Sequence, residues 1–129
     1  MSKTFIVSEN LDVRDENTTM AAMNCINGQI NKDVCSVLMY QCESSPVSLR
    51  KSVIGPDGFL AAHRASGVVC IYVTAGSGFC SLIREDGQEA CRVALAADEM
   101  IVFEENMPLH SYSAGVDGLE YLAVSIPQS

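Results

Sequence analysis

The sequence predicts an all-β protein, and three observations support that prediction. Apolar and polar residues alternate with a period of two, most clearly over 47–54 and 91–95, which is typical of a half-buried strand. Short apolar segments recur at intervals of roughly ten residues. Glycine, proline and aspartate, the residues that tight turns require, lie between these segments. Together these features are typical of a β-sandwich or a β-barrel.

The N-terminal third of the chain differs from the rest. Residues 1–35 are rich in Asn, Asp, Glu, Thr and Met, and we predict that they form an extension ahead of a barrel that spans 36–129. Residues 17–19 can cap a short helix over 20–23, with Gly28 near its end. A chain of 129 residues fits a single domain.

Eight strands and four turns are predicted after this extension. Because neighbours on a strand point to opposite faces, we expect Val69, Ile71 and Val73 to point inward. The same alternation predicts that Cys91, Val93 and Leu95 share an inward face. The predicted strands are 37–42, 47–54, 68–74, 79–83, 91–95, 100–103, 110–114 and 119–126, and the predicted turns are 55–58, 75–78, 85–88 and 115–118.

Charge and hydropathy exclude several classes of partner. The net charge is −8, with only eight lysines and arginines, which argues against a nucleic-acid phosphate backbone as a partner. It also argues against binding to anionic membranes. No apolar segment approaches the roughly 20 residues that a membrane-spanning helix needs. The N-terminus carries no recognisable signal peptide, so we expect a cytoplasmic protein with six reduced cysteines.

The two histidines of the chain, His63 and His110, each belong to a recognisable motif. His63 precedes a β-branched segment that ends in the glycine turn at 75–78. His110 follows an Ala-Asp pair at 97–98, an apolar segment and a proline-containing loop. On these motifs, residues 58–127 resemble the cupin superfamily, whose fold is a small double-stranded β-helix of the jelly-roll kind. The fold prediction is therefore a cupin-type jelly-roll barrel.

The resemblance implies a site inside the barrel, but it covers only part of the family's metal-binding motif. Cupins commonly hold one divalent metal with two histidines and a glutamate from the first motif and a histidine from the second. His63 and His110 match the first and last of these ligands. Ala65 and Val69 occupy the positions of the second histidine and the glutamate, and neither side chain can coordinate a metal. A stable site for iron, manganese or nickel usually needs at least three protein ligands.

Three hypotheses about function follow. The first is a small-molecule-binding cupin without a full-strength metal centre. Its catalytic form would be a metal-free isomerase or lyase that uses His63 and His110. Some metal-free cupins pair a histidine base with a tyrosine acid, and Tyr112 shares the strand face of His110. The second is a metal-dependent, dioxygenase-like cupin with both histidines as ligands. The third is a non-catalytic sensor that resembles the effector-binding domains of arabinose-type regulators.

The resemblance also implies a homodimer, because cupins commonly pair through outward-facing apolar strand residues. Tyr72, Leu82 and the predicted strand over 37–42 are the candidates for such an interface. Exposed sheet edges also favour association, because their unpaired backbone N–H and C=O groups can pair with another chain.

Overall fold

The structure is a computed structural model that describes residues 2–64, 67–104 and 108–126. The strands that these residues form all pair antiparallel, which agrees with the predicted all-β class. The strands are β1 (Ser2–Val7), β2 (Val13–Thr18), β3 (Ala21–Ala22), β4 (Cys25–Ile26), β5 (Gln29–Ile30), β6 (Lys32–Gln41), β7 (Ser48–His63), β8 (Val68–Ile83), β9 (Glu89–Ala96), β10 (Met100–Phe103) and β11 (Leu109–Ile126).

One sheet contains most of the chain. Its strands follow the order β10-β8-β11-β7-β6-β3, and β9 pairs with β8 beside this path. β1 pairs with β2 and β4 pairs with β5 in two small separate sheets. No helix that could span a membrane occurs in the part of the chain that the structure describes.

The helix predicted over 20–23 is wrong. Ala21 and Ala22 form β3 instead, and they pair with Ser36 and Cys35 of β6. A helix of a single turn has too few hydrogen bonds to offset the cost of its nucleation. Pairing with a strand satisfies the same backbone groups, so the tertiary contact decides the local structure.

Three of the four predicted turns are bends inside continuous strands. β7, β8 and β11 run without interruption through 55–58, 75–78 and 115–118. The bends lie against each other, since Leu119 pairs with both Ile54 and Gly76. A long strand that bends in this way contributes to two faces of the folded sheet. The turn at 84–88 is a true hairpin, with a hydrogen bond from Arg84 N to Gln88 O.

The core lies between these faces. Val69, Ile71 and Val73 are buried, as the alternation predicts. On β9, Leu95 is buried and Val93 is half-buried, but Cys91 is exposed, so that prediction holds only in part. Burial on β9 falls toward the hairpin, and a register shift opposite Ala90 interrupts the alternation there.

Candidate functional site

The two histidines are direct cross-strand neighbours. His63 ends β7 and His110 is the second residue of β11, and the two positions pair in the sheet. Their ring centroids are 4.4 Å apart, with the ring planes inclined by 52°. The structure therefore places together the two residues that the sequence motifs identified.

The hydrogen bonds of the two rings define which nitrogen carries a proton. His63 Nδ1 is 2.9 Å from Ala61 O, and His110 Nδ1 is 3.1 Å from Pro108 O. A carbonyl oxygen can only accept a hydrogen bond, so we assign the proton of each neutral ring to Nδ1. Nε2 of each ring then keeps its lone pair, which is the form that can accept a proton.

Both imidazoles are held neutral at pH 7. Burial, together with a smaller contribution from the neighbouring His63, lowers the pKa of His110 to about 4, although the Pro108 carbonyl opposes the shift. Burial also lowers the pKa of His63, against the opposing effect of the Ala61 carbonyl. Desolvation disfavours the charged form of a histidine, which explains both directions.

The buried His110 should make the folded protein less stable in mild acid. Its pKa is depressed from 6.5 in the unfolded chain to about 4 in the folded one, so the unfolded state binds more protons between these values. The free energy of unfolding is therefore unaffected by His110 above pH 6.5. It falls as the pH drops below 6.5, by about 2 kcal/mol at pH 5.

This pH dependence can be measured by urea unfolding at pH 7.5 and pH 5 on the wild type and on His110→Asn. Asparagine keeps an N–H donor near the Pro108 carbonyl but does not titrate. We expect the difference in unfolding free energy between the two pH values to shrink by about 2 kcal/mol in the variant. Equal pH dependence in both proteins would contradict a neutral, buried His110.

Aromatic rings enclose the histidine pair. The Phe103 ring lies 4.6 Å from the His110 ring, measured between centroids, and the Tyr112 ring meets His110 edge-on at 5.3 Å. Tyr112 also lies 6.1 Å from His63 and stacks on Tyr121 at 5.3 Å. The structure thus places the predicted tyrosine beside both histidines.

The hydroxyl of Tyr112 is poorly placed to exchange protons. It is buried and has no hydrogen-bond partner among the described residues. Burial raises the pKa of Tyr112 well above its usual value, and the adjacent Cys80 thiol raises it further. A thiol is a weak hydrogen-bonding partner, so it does not replace a missing oxygen or nitrogen partner. The Tyr112 phenol therefore stays protonated.

Removal of the Tyr112 hydroxyl should not lower the stability of the folded protein. A buried polar group without a partner destabilises the folded state by roughly 1–3 kcal/mol, so Tyr112→Phe should leave stability unchanged or raise it by about 1 kcal/mol. Tyr121 provides the matched control, because the Ser52 hydroxyl near it lowers the pKa of Tyr121 against the effect of burial. Tyr121→Phe should lower stability by about 1 kcal/mol. Urea unfolding of both variants measures the difference, and a larger loss in Tyr112→Phe would show that its hydroxyl has an unrecognised partner.

The histidine pair opens onto a cavity of about 370 Å³ inside the barrel. This volume is at the small end of the range that ligand pockets occupy. Apolar and polar side chains both contribute to its walls: Met23, Ile26, Ser48, Arg50, Ser52, Leu60, His63, Arg64, Val69, Ile71, His110, Tyr112, Tyr121, Ala123 and Ser125. The cavity can therefore hold a small molecule that has an apolar part and a few polar groups.

The described residues of the cavity do not offer the ligand set of a cupin metal centre. No group of three or more His, Cys, Asp or Glu side chains occurs within 2–64, 67–104 and 108–126 that could hold a metal ion. Val69, at the family's glutamate position, is buried and lines the cavity. Cys70 is on the opposite face of β8, which removes the nearest alternative ligand. Ala65 lies outside the described residues. Two neutral imidazoles alone do not fit a three- or four-ligand site.

Arg50 and the serines near it are the site residues that sequence motifs did not identify. Arg50, Ser48 and Ser52 line the cavity. The alternation over 47–54 carried the necessary signal, because it placed these three residues on the same strand face as the buried Ile54. A charged residue on the inward face of a strand indicates a site or a buried pair.

Comparison with known proteins supports the fold and no more specific assignment. No protein-family model and no curated protein matches the sequence. Among solved structures, a cupin 2 conserved barrel domain protein from Rhodopseudomonas palustris superposes with a TM-score of 0.71 at 14% identity, covering 97% of this chain and 81% of the other.

Two further similar structures are those of a cyclase and of a domain from a transcriptional regulator. The polyketide cyclase RemF from Streptomyces resistomycificus has a TM-score of 0.59 at 18% identity, over 74% of this chain and 66% of the cyclase. The cupin domain of an XRE family transcriptional regulator from Enterobacter cloacae has a TM-score of 0.60 at 14% identity, over 76% of this chain and 100% of that domain. Bent strands, paired motif histidines and these superpositions together show that the chain has the cupin fold.

Proposed function

We propose that this cupin binds a small organic molecule in its barrel without a metal ion and transfers a proton to and from that molecule, as an isomerase or a lyase does. The observation that carries the proposal is the pair of neutral imidazoles on the wall of the cavity. Each uses Nδ1 for a backbone carbonyl and keeps a lone pair on Nε2. A lone pair near a bound C–H or O–H group is what general-base catalysis requires.

The two histidines have different roles in this reaction. His63 is half-buried, whereas His110 is only 2% exposed and has a pKa of about 4. A base with so low a pKa accepts protons poorly at pH 7. We therefore assign proton transfer to His63, and we assign to His110 the role of a neutral neighbour that binds the ligand. Tyr112 is a poor candidate for the acid, because its hydroxyl is buried and burial raises its pKa well above the usual value.

The experiment that tests this proposal has two stages. Ligand-observed NMR with a library of small organic acids, amides, ketones and sugars identifies molecules that bind the wild type. Each binder is then incubated with the protein in D2O, and exchange of its acidic C–H for deuterium is followed. General-base catalysis contributes roughly 10²–10⁴-fold, so His63→Asn should slow exchange by at least about a hundredfold.

Asparagine at position 63 keeps a donor for the Ala61 carbonyl but removes the Nε2 lone pair, so the fold is preserved. Arg92→Gln serves as a control, because Arg92 is exposed and its guanidinium lies over Phe79. Exchange that is equally fast in the wild type and in His63→Asn would remove His63 as the base. Failure of every library member to bind in the cavity would overturn the proposal as a whole.

A metal-dependent reaction is the alternative that the fold family raises, and the residues argue against it. Because Val69 occupies the glutamate position, His63 and His110 are the two family metal ligands that remain among the described residues. Elemental analysis of protein purified without chelators separates the two hypotheses. Well under one transition-metal ion per chain is expected, and one ion per chain held by both histidines would support the alternative.

A sensor is the second candidate function, and the similarity to a cupin domain from an XRE family transcriptional regulator favours it. A sensor would use the same cavity and would need no base. The deuterium-exchange experiment distinguishes the two: a sensor binds its ligand with no exchange above the uncatalysed rate, whereas an isomerase or lyase accelerates it.

We propose further that the protein is a cytoplasmic homodimer. Of the predicted interface residues, Leu82 and Tyr72 are half-buried, and Tyr72 donates a hydrogen bond to Asp98 at 2.6 Å. Large apolar side chains on the outside of the same sheet remain exposed, namely Phe79 at 41% and Met100 at 55%. Light scattering should give a mass close to twice 13.9 kDa, and a monomer at micromolar concentration would refute the dimer.

A further inference from the structure

Arg50 is a cation on the inner wall of the cavity, and a hydrogen bond to a serine fixes the position of its guanidinium. Its Nη1 donates a hydrogen bond to Ser36 Oγ at 2.9 Å. The Ser36 hydroxyl lies 3.3 Å from that of Ser52. Both serines are buried, at 5% and 4% exposure. The contact to Ser36 fixes one corner of the guanidinium and leaves its remaining N–H donors for other partners.

The described residues provide no carboxylate for this cation. Arg50 takes part in none of the ion pairs that the described residues form. The second arginine at the cavity, Arg64, is exposed and pairs with Glu85 at 2.9 Å. No Asp or Glu is among the described residues that line the cavity. Arg50 therefore supplies a positive charge that the described residues leave uncompensated there.

The surroundings of Arg50 strengthen its attraction for anionic ligands. Val69, Ile71 and Leu60 form apolar walls of the same cavity, and a positive charge among apolar walls attracts anions more strongly than one in water. Ser48 and Ser125 also line this cavity, and they pair with each other across β7 and β11. The planar guanidinium matches a carboxylate through two parallel hydrogen bonds.

From this arrangement we infer that the ligand of the cavity is a small monocarboxylic acid, whose carboxylate binds Arg50 and whose apolar part lies on Val69 and Ile71. This inference rests on the proposed function, since it names the chemical class of the molecule that His63 acts on. A single cation balances a single negative charge, which favours a carboxylate over a phosphate dianion. The charge of Arg50 in turn determines which end of the ligand faces away from the histidines.

Three probes of nearly identical shape test the charge preference: benzoate, benzamide and benzamidine, which are negative, neutral and positive. Their affinities can be measured by titration while the side-chain NMR signals of His63 and His110 report whether each probe enters the cavity. We expect benzoate to bind most tightly, benzamide more weakly and benzamidine least. A charge-assisted hydrogen bond accounts for at least about a tenfold difference between the first two.

Variants identify Arg50 as the origin of that preference. Arg50→Gln should weaken benzoate by at least about tenfold and leave benzamide nearly unchanged. Arg50→Lys keeps the charge without the planar fork, so it should bind benzoate with intermediate affinity. Arg92→Gln removes the same charge from the outer face of the barrel and should behave as the wild type. Circular dichroism verifies that each variant is folded.

The outcomes separate this inference from the proposed function. Equal binding of all three probes, with shifts at His63 and His110, would overturn the carboxylate assignment and leave the cavity function intact. An Arg50→Gln variant that still prefers benzoate would likewise overturn the carboxylate assignment and leave the cavity function intact. Benzoate binding that requires Arg50 but shifts neither histidine would support the anion site and contradict the proposed role of His63. Absence of benzoate binding at millimolar concentration would overturn the inference.

Discussion

Val69→Glu is expected to create a divalent transition-metal site in the barrel. Val69 points inward, lines the cavity, and pairs in the sheet with Phe103, whose ring lies on His110. A carboxylate introduced there would join two neutral imidazoles that already keep Nε2 lone pairs. Two histidines and one carboxylate form a known ligand set for first-row metals. The third ligand should raise the affinity for Mn²⁺ or Ni²⁺ by at least about a hundredfold.

Stability provides a second readout of the same change. Without metal, Val69→Glu places an ionisable group on an apolar wall and should cost about 2–3 kcal/mol. Metal bound to the folded state restores about 2.7 kcal/mol at a hundred times its dissociation constant. Titration calorimetry measures the affinity, and thermal unfolding with and without Mn²⁺ measures the recovery.

Cys70→Glu is the matched control, because it adds the same carboxylate one residue away on the opposite face of β8. It should bind metal no better than the wild type. Equal metal binding in the two variants would contradict the placement of Val69 beside the histidines. Loss of metal binding on adding His63→Asn to Val69→Glu would identify His63 as one of the three ligands.

Gly76→Ala is expected to disrupt the corner of the fold that shapes the cavity. Gly76 has a φ of 80°, in the left-handed region, and an added Cβ would overlap the carbonyl oxygen of Gly118 on β11. That carbonyl belongs to the backbone and cannot rotate away. Left-handed strain and overpacking together should cost about 3–5 kcal/mol, which is a large part of the stability of a small domain.

Gly87→Ala separates the steric contact from the backbone strain. Gly87 has a φ of 87° in the hairpin between β8 and β9, and an added Cβ would meet no atom within 4 Å. Its substitution should cost only about 1–2 kcal/mol. Urea unfolding, or the yield of folded protein where Gly76→Ala does not fold, measures both. Equal destabilisation would show that the bends of β8 and β11 are not in close contact.

The fold was predictable from the sequence where burial imposes a period. Val69, Ile71 and Val73 alternate with polar or outward residues because one face of β8 is buried, so the pattern identified both the strand and its inner face. The segments 55–58 and 75–78 were recognised as changes of direction. Glycine and proline suit a hairpin and a bent strand equally well, so these residues alone could not distinguish the two. Only the pairing of Leu119 with Ile54 and Gly76 does so.

The candidate site was predictable where a motif marked it. His63 and His110 share motif positions and prove to be cross-strand neighbours. Arg50 belongs to no motif, and its importance depends on the absence of a carboxylate partner among the described residues, which no local pattern reveals. Likewise, the strand position of Tyr112 could be read from its distance to His110, but the burial of its hydroxyl depends on the packing of Cys80 and Tyr121.

The central claim is that the barrel binds a small organic molecule between Arg50 and a neutral histidine pair without a metal ion. A crystal structure of the protein grown with benzoate, with anomalous data collected at the manganese, iron, nickel and zinc edges, tests it most directly. We expect density for a carboxylate on the guanidinium of Arg50, with the ring directed toward His63, and no anomalous peak at the histidines. An anomalous peak bound by Nε2 of both His63 and His110 would contradict this account.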